Sequence, residues 1–237
     1  MIQDGLQSVL IDALHGPYSE YFSPPPKQLK AMQMGDFPYN GSEVILVTHV
    51  HRDHFDPQIV GLHLEHNQNA VLVGPQEVAN ALKDQFEGYK RVRAQIRTVT
   101  PRALQRETIT MKGVRIEVLG LRHGGDEFRT LEHVGYVVHL GHWALLHVGD
   151  AEDSKNNFMS FNLNREDIDV AFLPFWFLLT SEKQALVGAQ IRPQHIVAVH
   201  IPSASASELE EASKDMRAGF PHVTIFNTLM EKKSFWK

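Results

Sequence analysis

Nine short apolar runs, most of them rich in Val and Ile, punctuate this chain and narrow what it can fold into. They fall at residues 9–12, 44–48, 70–73, 114–121, 134–140, 143–148, 170–173, 196–199 and 223–226. Runs of this length with many β-branched residues read as strands buried on both faces. Helical signals lie between some of them. Residues 56–66 open with Asp56 as an N-cap and Pro57 at the first helical position. Residues 75–86 repeat the Pro start, and 205–218 carry a Ser/Glu N-terminal signature. Ser23-Pro24-Pro25-Pro26 is a stiff extended stretch, and a short helix is expected after it through Met34. The runs at 134–140 and 143–148 are close enough to form a hairpin turning at Gly141-His142. Such irregular alternation predicts a mixed sheet, or two sheets covered by helices. With no internal repeat or low-complexity linker, residues 1–237 read as a single domain, long enough for a substantial core.

The chemistry lies at the ends of these runs. Thr48-His49-Val50-His51-Arg52-Asp53-His54 places four potential ligands within six residues, directly after an apolar strand. In an extended loop His49 and His51 point the same way, while Asp53 and His54 can face a second position. His123 follows the run at 114–121, Asp150 follows 143–148 through Gly149, and His200 follows 196–199. Each candidate therefore stands just past the carboxyl end of a strand, where open α/β sheets place their ligand sites. The chain has no cysteine, so a metal would be held by imidazole, carboxylate and water. Five imidazoles and two carboxylates suit zinc, and also manganese or iron, and the total fits two ions sharing one bridging carboxylate.

The order His-x-His-x-Asp-His, a lone His, Gly-Asp and a final His after an apolar strand resembles the metallo-β-lactamase superfamily. The resemblance runs from Val9-Leu10-Ile11-Asp12 to His200-Ile201-Pro202. It implies an α+β fold, a four-layer αββα sandwich of two mixed β-sheets flanked by helices, with the site at one edge of the sheets. It also implies His49, His51 and His123 on one metal, Asp53, His54 and His200 on a second, and Asp150 bridging. The implied activity is that of a binuclear hydrolase, in which water activated by two divalent ions cleaves an ester-type bond in a small molecule. Asp53 would orient that water and take its proton, and Asp150 would fix the spacing of the ions. Position 51 is His where a diiron oxidoreductase branch has Glu, which argues against electron transfer. Leu121-Arg122-His123-Gly124-Gly125 lacks the Gly-His-Thr-Pro-Gly of glyoxalase II. Leu173-Pro174-Phe175-Trp176 and Arg192-Pro193 loosely resemble the branch that includes L-ascorbate-6-phosphate lactonase and N-acyl-phosphatidylethanolamine phospholipase D. Family domains open with one more strand, pairing with residues 1–3 and 9–12, which is either absent here or trimmed away.

Other residues carry softer expectations. Arg52, Arg122 and Arg129 lie near the ligands in sequence and suit a phosphate or carboxylate, or simply solvent. Phe175 and Trp176, with Phe177, suit either a substrate wall or the core. Tyr18, Tyr21 and Phe22 read as a packed surface loop or a lid. His147 is expected to support the Asp150 loop, Asp12 to anchor the ligand loop, and His133 to reach the substrate. His63 and His66, three apart, read as a solvated helix face. The remaining five, His15, His139, His142, His195 and His222, read as structural or exposed. The net charge of −5 gives no general attraction to nucleic acid, so a small-molecule substrate is expected and a nuclease is the rival. A sensor or binding protein without turnover is a further rival. No run is long enough to span a bilayer. The opening Met1-Ile2-Gln3-Asp4-Gly5 has no basic or apolar leader, which reads as cytoplasmic, or as periplasmic if a leader was removed.

Overall fold

The computed structural model describes residues 1–5, 7–21, 24–203 and 206–237. Phe22 and Ser23 of the expected loop and stiff stretch, and Ser205 of the last expected helix, lie outside the described residues. Eleven strands form among those described. They are β1 (Ile2–Asp4), β2 (Gln7–Ile11), β3 (Val44–Leu46), β4 (Val71–Gly74), β5 (Ile96–Thr98), β6 (Arg106–Met111), β7 (Val114–Gly120), β8 (Val134–Leu140), β9 (Trp143–His147), β10 (Val170–Pro174) and β11 (His195–Val199). The helices are α1 (Pro26–Met34), α2 (Pro57–His66), α3 (Gln76–Gln85), α4 (Tyr89–Val92), α5 (Lys155–Phe158), α6 (Ser181–Gln190) and α7 (Ala206–Gly219).

The strands assemble into two sheets, one in the order β1-β2-β3-β4-β5 and the other β11-β10-β9-β8-β7-β6. In the first, β2 to β5 run parallel, in registers such as Ile11↔Leu46 and Leu46↔Val73. In the second, β6 to β9 form an antiparallel meander and β9, β10 and β11 run parallel. Side-chain alternation along the strands separates three apolar layers. Val9, Ile11, Val44 and Leu46 meet Ile116, Val118, Tyr136 and Val138 between the sheets. Leu10, Ile45 and Leu72 turn the other way, against Met32, Ile59, Leu64 and Leu82 of the first helical layer. Leu119, Val137, Leu146 and Ala171 face Phe158, Val187 and Met216 of the second. The product is the helix–sheet–sheet–helix sandwich. Tyr136 ties the sheets together, its hydroxyl donating to the Val47 carbonyl at 2.7 Å.

Departures from expectation have local causes. Residues 223–226 make one bridge, Thr224 to Val197, rather than a strand; Val223 and Ile225 are apolar because they pack in the outer core. Strands β1, β5 and β6 escaped the apolar pattern because each lies on a sheet edge and keeps one face wet; β6, Arg-Glu-Thr-Ile-Thr-Met, has no fully buried residue. Pro75 caps α3 instead of opening it. Asp56 caps α2 as expected, accepting from the amides of Gln58 and Ile59 at 2.9 Å each.

Glu117 is a buried carboxylate on β7, only 3% exposed. It contacts Arg106, and its Oε1 lies 2.8 Å from both Arg115 Nη2 and His139 Nε2. Burial pushes its pKa up, but the His139 hydrogen bond and the two guanidinium charges outweigh it and hold the carboxyl below its usual range. A carboxyl depressed in the folded state stabilises above the unfolded value of about 4.3, and that stability is lost as pH falls through the folded value. Glu117→Gln should therefore cost about 2 kcal/mol at pH 7. The gap between the wild-type and variant melting temperatures should close below about pH 4. A gap that stays constant down to pH 3 would rule out this charge linkage.

Candidate metal centre

At the carboxyl ends of β2, β3, β7, β9 and β11 the chain builds one polar nest. After β3 the backbone stays extended through His49, then turns as the amides of His54 and Phe55 bond the His51 carbonyl at 3.1 and 2.9 Å. Phe55 sinks into the apolar layer beneath and pins that turn. His123 and Ala151 form an isolated bridge, reinforced by Gly124 N to Asp150 O at 2.8 Å and Glu152 N to Arg122 O at 2.9 Å. The fully buried Asn157 clamps the same pair of loops, with bonds to Arg122 N, Arg122 O and Glu152 O.

The result is two groups of four potential ligands. One holds His49, His51, His123 and Asp150, the other Asp53, His54, Asp150 and His200. Asp150 belongs to both. Its Oδ2 lies 3.9 Å from His49 Nε2, 3.7 Å from His123 Nε2 and 2.9 Å from His200 Nε2, and its Oδ1 lies 3.2 Å from His54 Nε2. Asp53 Oδ2 is 3.6 Å from His54 Nε2 and 3.3 Å from His200 Nε2. Atoms held at about 2.1 Å by one tetrahedral ion lie some 3–4 Å apart, and these spacings bracket that value. In each group two residues come from loops of the first sheet and two from loops of the second.

The hydrogen bonds leave free the atoms that a metal would need. Thr48 Oγ1 donates to Asp12 Oδ2 at 2.7 Å, so it accepts from His49 Nδ1 at 3.0 Å. His54 Nδ1 donates to Asp12 Oδ2 at 2.8 Å, and His123 Nδ1 to the Gly124 carbonyl. Nε2 of His49, His54 and His123, together with Asp150 Oδ1, is then buried with no partner in hydrogen-bonding geometry, His54 Nε2 and Asp150 Oδ1 meeting only as an ion pair. Unpartnered buried polar atoms are costly, and here four of them converge on one small volume. The residues present thus fit a pair of divalent cations.

Electrostatics agree. Burial, then the neighbouring imidazoles, lower the pKa values of His49 and His123, so both rings are neutral and able to ligate. Burial opposes ionisation of Asp150, but His54 and His200 overcome it and hold the carboxyl far below its usual range. Burial lowers His200, while bonds to Asp150 and Asp53 raise it to about 9. Burial likewise opposes a charge on His54, which Asp12 and Asp150 raise well above its ordinary value. The three carboxylates Asp12, Asp53 and Asp150 demand positive charge at this spot, as protons or as cations.

Asp12 sits below the nest, accepting from Thr48 N at 2.8 Å as well as from Thr48 Oγ1 and His54. His147 Nδ1 accepts from Gly149 N at 3.1 Å. His133 does not face a substrate: it is buried, 4% exposed, and its Nε2 accepts from Asp150 N at 3.0 Å. Burial and the His123 charge push its pKa down to about 3, which keeps that acceptor neutral. His63 is not on a solvated face either, being fully buried with Nδ1 2.6 Å from the Met32 carbonyl. Thr48 stands out in the sequence only by preceding His49, and His133, ten residues past His123, carries no mark of this role. Gly149 is required at its position. Its φ of +55° is left-handed, and a Cβ there would lie 2.7 Å from both His133 Nε2 and Thr48 Oγ1. Gly149→Ala should destabilise by roughly 2–3 kcal/mol, strain plus overpacking. It should also weaken cation binding, measurable by thermal melting and metal titration; wild-type values in both would contradict this packing.

Arg52 and Arg122 are exposed and, among the described residues, have no ion-pair partner, whereas Arg129 pairs with Asp126 at 2.6 Å. A cavity of about 700 Å³ opens beside His123, lined by Arg122, Gly125, Asp126, Arg129 and Glu152. Trp176 stands edge-on to His200, ring centroids 5.0 Å apart, and edge-on to Phe175 at 5.6 Å. Both aromatics are half-buried and also pack on the outer core. No described helix is long and apolar enough to cross a membrane.

Comparison with known proteins places this architecture. The β-lactamase superfamily domain model matches residues 7–221. No curated protein matches the chain at a significant level. Among solved structures, a candidate metal-dependent hydrolase from Parabacteroides distasonis is 20% identical, covering 78% of this chain and 76% of its own at a TM-score of 0.51. Zinc-bound PqqB from Methylobacterium extorquens is 14% identical over 80% of this chain and 72% of its own, TM-score 0.56. A mutant of the CmlA β-hydroxylase is 14% identical over 92% of this chain but 49% of its own, TM-score 0.56. At such identities the likeness is one of fold, and it singles out no branch. With the family model spanning most of its length, the chain belongs to the β-lactamase superfamily domain family.

Proposed function

We propose that the chain is a binuclear hydrolase that cleaves an ester-type bond, a lactone or a phosphodiester, in a small molecule. The observation that carries this reading is the sharing of Asp150 between two ligand groups, in which four ligand atoms are buried without a hydrogen-bond partner. His49, His51 and His123 would hold one ion, Asp53, His54 and His200 the other, and Asp150 both. Zinc is the first ion to test, with manganese and iron suited to the same donors. When bound, the pair supplies Lewis acidity and lowers the pKa of coordinated water towards ~7.

The remaining work falls to the chain. Asp150, ionised and braced at its amide by His133, fixes the separation of the two half-sites. Asp53 places a carboxylate beside His200 and can take up a proton released at the centre. Arg122, unpaired at the mouth of the cavity, offers a guanidinium to a phosphate or carboxylate. Trp176 and Phe175 form the apolar side against which the substrate body would rest. Arg52, exposed on the ligand loop itself, is the second candidate for gripping charge.

The test is hydrolysis of a panel by the zinc-loaded protein, with Asp150→Asn alongside. The panel holds a chromogenic phosphodiester, a phosphomonoester, several lactones and a β-lactam. Turnover of a phosphodiester lost in Arg122→Ala assigns the phosphate reading, and turnover of a lactone insensitive to Arg122 assigns the other. Two bound ions with no turnover of any member would leave a binding protein instead of an enzyme for these bonds.

A further inference from the structure

The imidazoles of the two groups are not braced in the same way. In the first group His49 and His123 bond through Nδ1 to their own sequence neighbours, Thr48 Oγ1 and Gly124 O. In the second group both imidazoles bond to a distant arm. His54 Nδ1 meets Asp12 Oδ2, and the Tyr21 hydroxyl lies 2.6 Å from His200 Nδ1 and 3.2 Å from its Nε2, across 179 positions of sequence. That arm, which leaves β2 at Asp12, crosses the site and reaches the loop after His200. Ser203 fastens it there, donating to the Glu20 carbonyl from both its amide and its hydroxyl at 2.8 Å each.

His200 depends on this contact more than the others depend on theirs. Its backbone φ is +59°, a left-handed value uncommon for a non-glycine residue. Its ring is gripped edge-on by Tyr21 at 4.9 Å and by Trp176 at 5.0 Å, and Tyr18 stacks on Tyr21 at 5.9 Å. Nε2 faces Asp150 and Asp53, so a cation taken there leaves Nδ1 protonated and in need of an acceptor. The Tyr21 oxygen is that acceptor. Asp12, by contrast, serves both groups, reaching His49 through Thr48 and His54 directly.

We propose that Tyr21 is a positioning residue for His200, which makes the affinity of the second group for its cation, and not that of the first, depend on the Tyr21 hydroxyl. The inference rests on the binuclear reading above. Loading should then occur in two steps, a first ion at the group that Tyr21 does not touch and a second, more weakly held ion at the group that needs the Tyr21 contact.

The experiment is a zinc titration of the full chain, followed by calorimetry against a competing chelator, for wild type, Tyr21→Phe and Tyr18→Phe. In Tyr21→Phe the remaining phenyl ring keeps the edge contact, and only the acceptor is removed; Tyr18→Phe perturbs the same stack without touching His200. Wild type should take two equivalents. In Tyr21→Phe the first dissociation constant should be unchanged and the second raised roughly tenfold, the low end for losing a group behind a metal ligand. Tyr18→Phe should match wild type, and the metal-free melting temperatures of all three should agree. An unchanged second constant, or equal weakening of both, would overturn the assignment. A wild-type protein that takes only one equivalent would instead overturn the binuclear reading, and this inference with it.

Discussion

Replacing Asp150 with Asn should cost on the order of 10³-fold in kcat/KM on whichever ester-type substrate the panel identifies, and should empty both halves of the centre at once. The variant keeps the shape of the side chain and removes its charge. Because Asp150 Oδ2 faces His49, His123 and His200, and Oδ1 faces His54, the lost carboxylate is missed by both groups. Asp53→Asn gives the contrast. That residue belongs to the second group alone, so one ion should remain. Elemental analysis of the two purified variants therefore separates a shared carboxylate from an ordinary one. Retention of two ions and full rate by Asp150→Asn would end the assignment.

Stripping the cations should lower the melting temperature by about 10 °C. An ion that binds only the folded chain, present at 1,000 times its dissociation constant, contributes about 4 kcal/mol. For a chain of this size each 1 kcal/mol moves the midpoint by about 2–4 °C. The structural reason is that the metal-free nest carries four buried unpartnered atoms and three acidic side chains within contact of one another's histidines. Chelation of wild type should lower the midpoint and added zinc restore it, while Asp150→Asn should already sit low and ignore the chelator. A wild-type midpoint indifferent to both treatments would mean that the groups hold no ion.

Much of the fold and of the nest was legible before any coordinates. Strands β3, β7, β8, β9, β10 and β11 announce themselves because both faces are buried, which demands unbroken apolar runs. The ligand candidates were legible for a related reason: each interrupts such a run at its carboxyl end, where an apolar residue would otherwise continue. Edge strands were hidden because solvent on one face admits Arg, Glu and Thr. The supports were hidden more deeply. Tyr21 reads in sequence as an ordinary aromatic before a proline stretch, since its meaning comes from a partner 179 residues away. His147, three residues before Asp150, reads as a support of its loop, whereas His133 reads as a substrate contact; only tertiary geometry shows that His133 bonds the amide of Asp150 and His147 that of Gly149. Residues 223–226 misled because apolar content serves core packing as readily as strand pairing.

Each ligand group draws half its donors from one sheet and half from the other. Neither sheet, formed alone, can capture an ion in this manner. A complete four-donor group therefore exists only once the two sheets have docked.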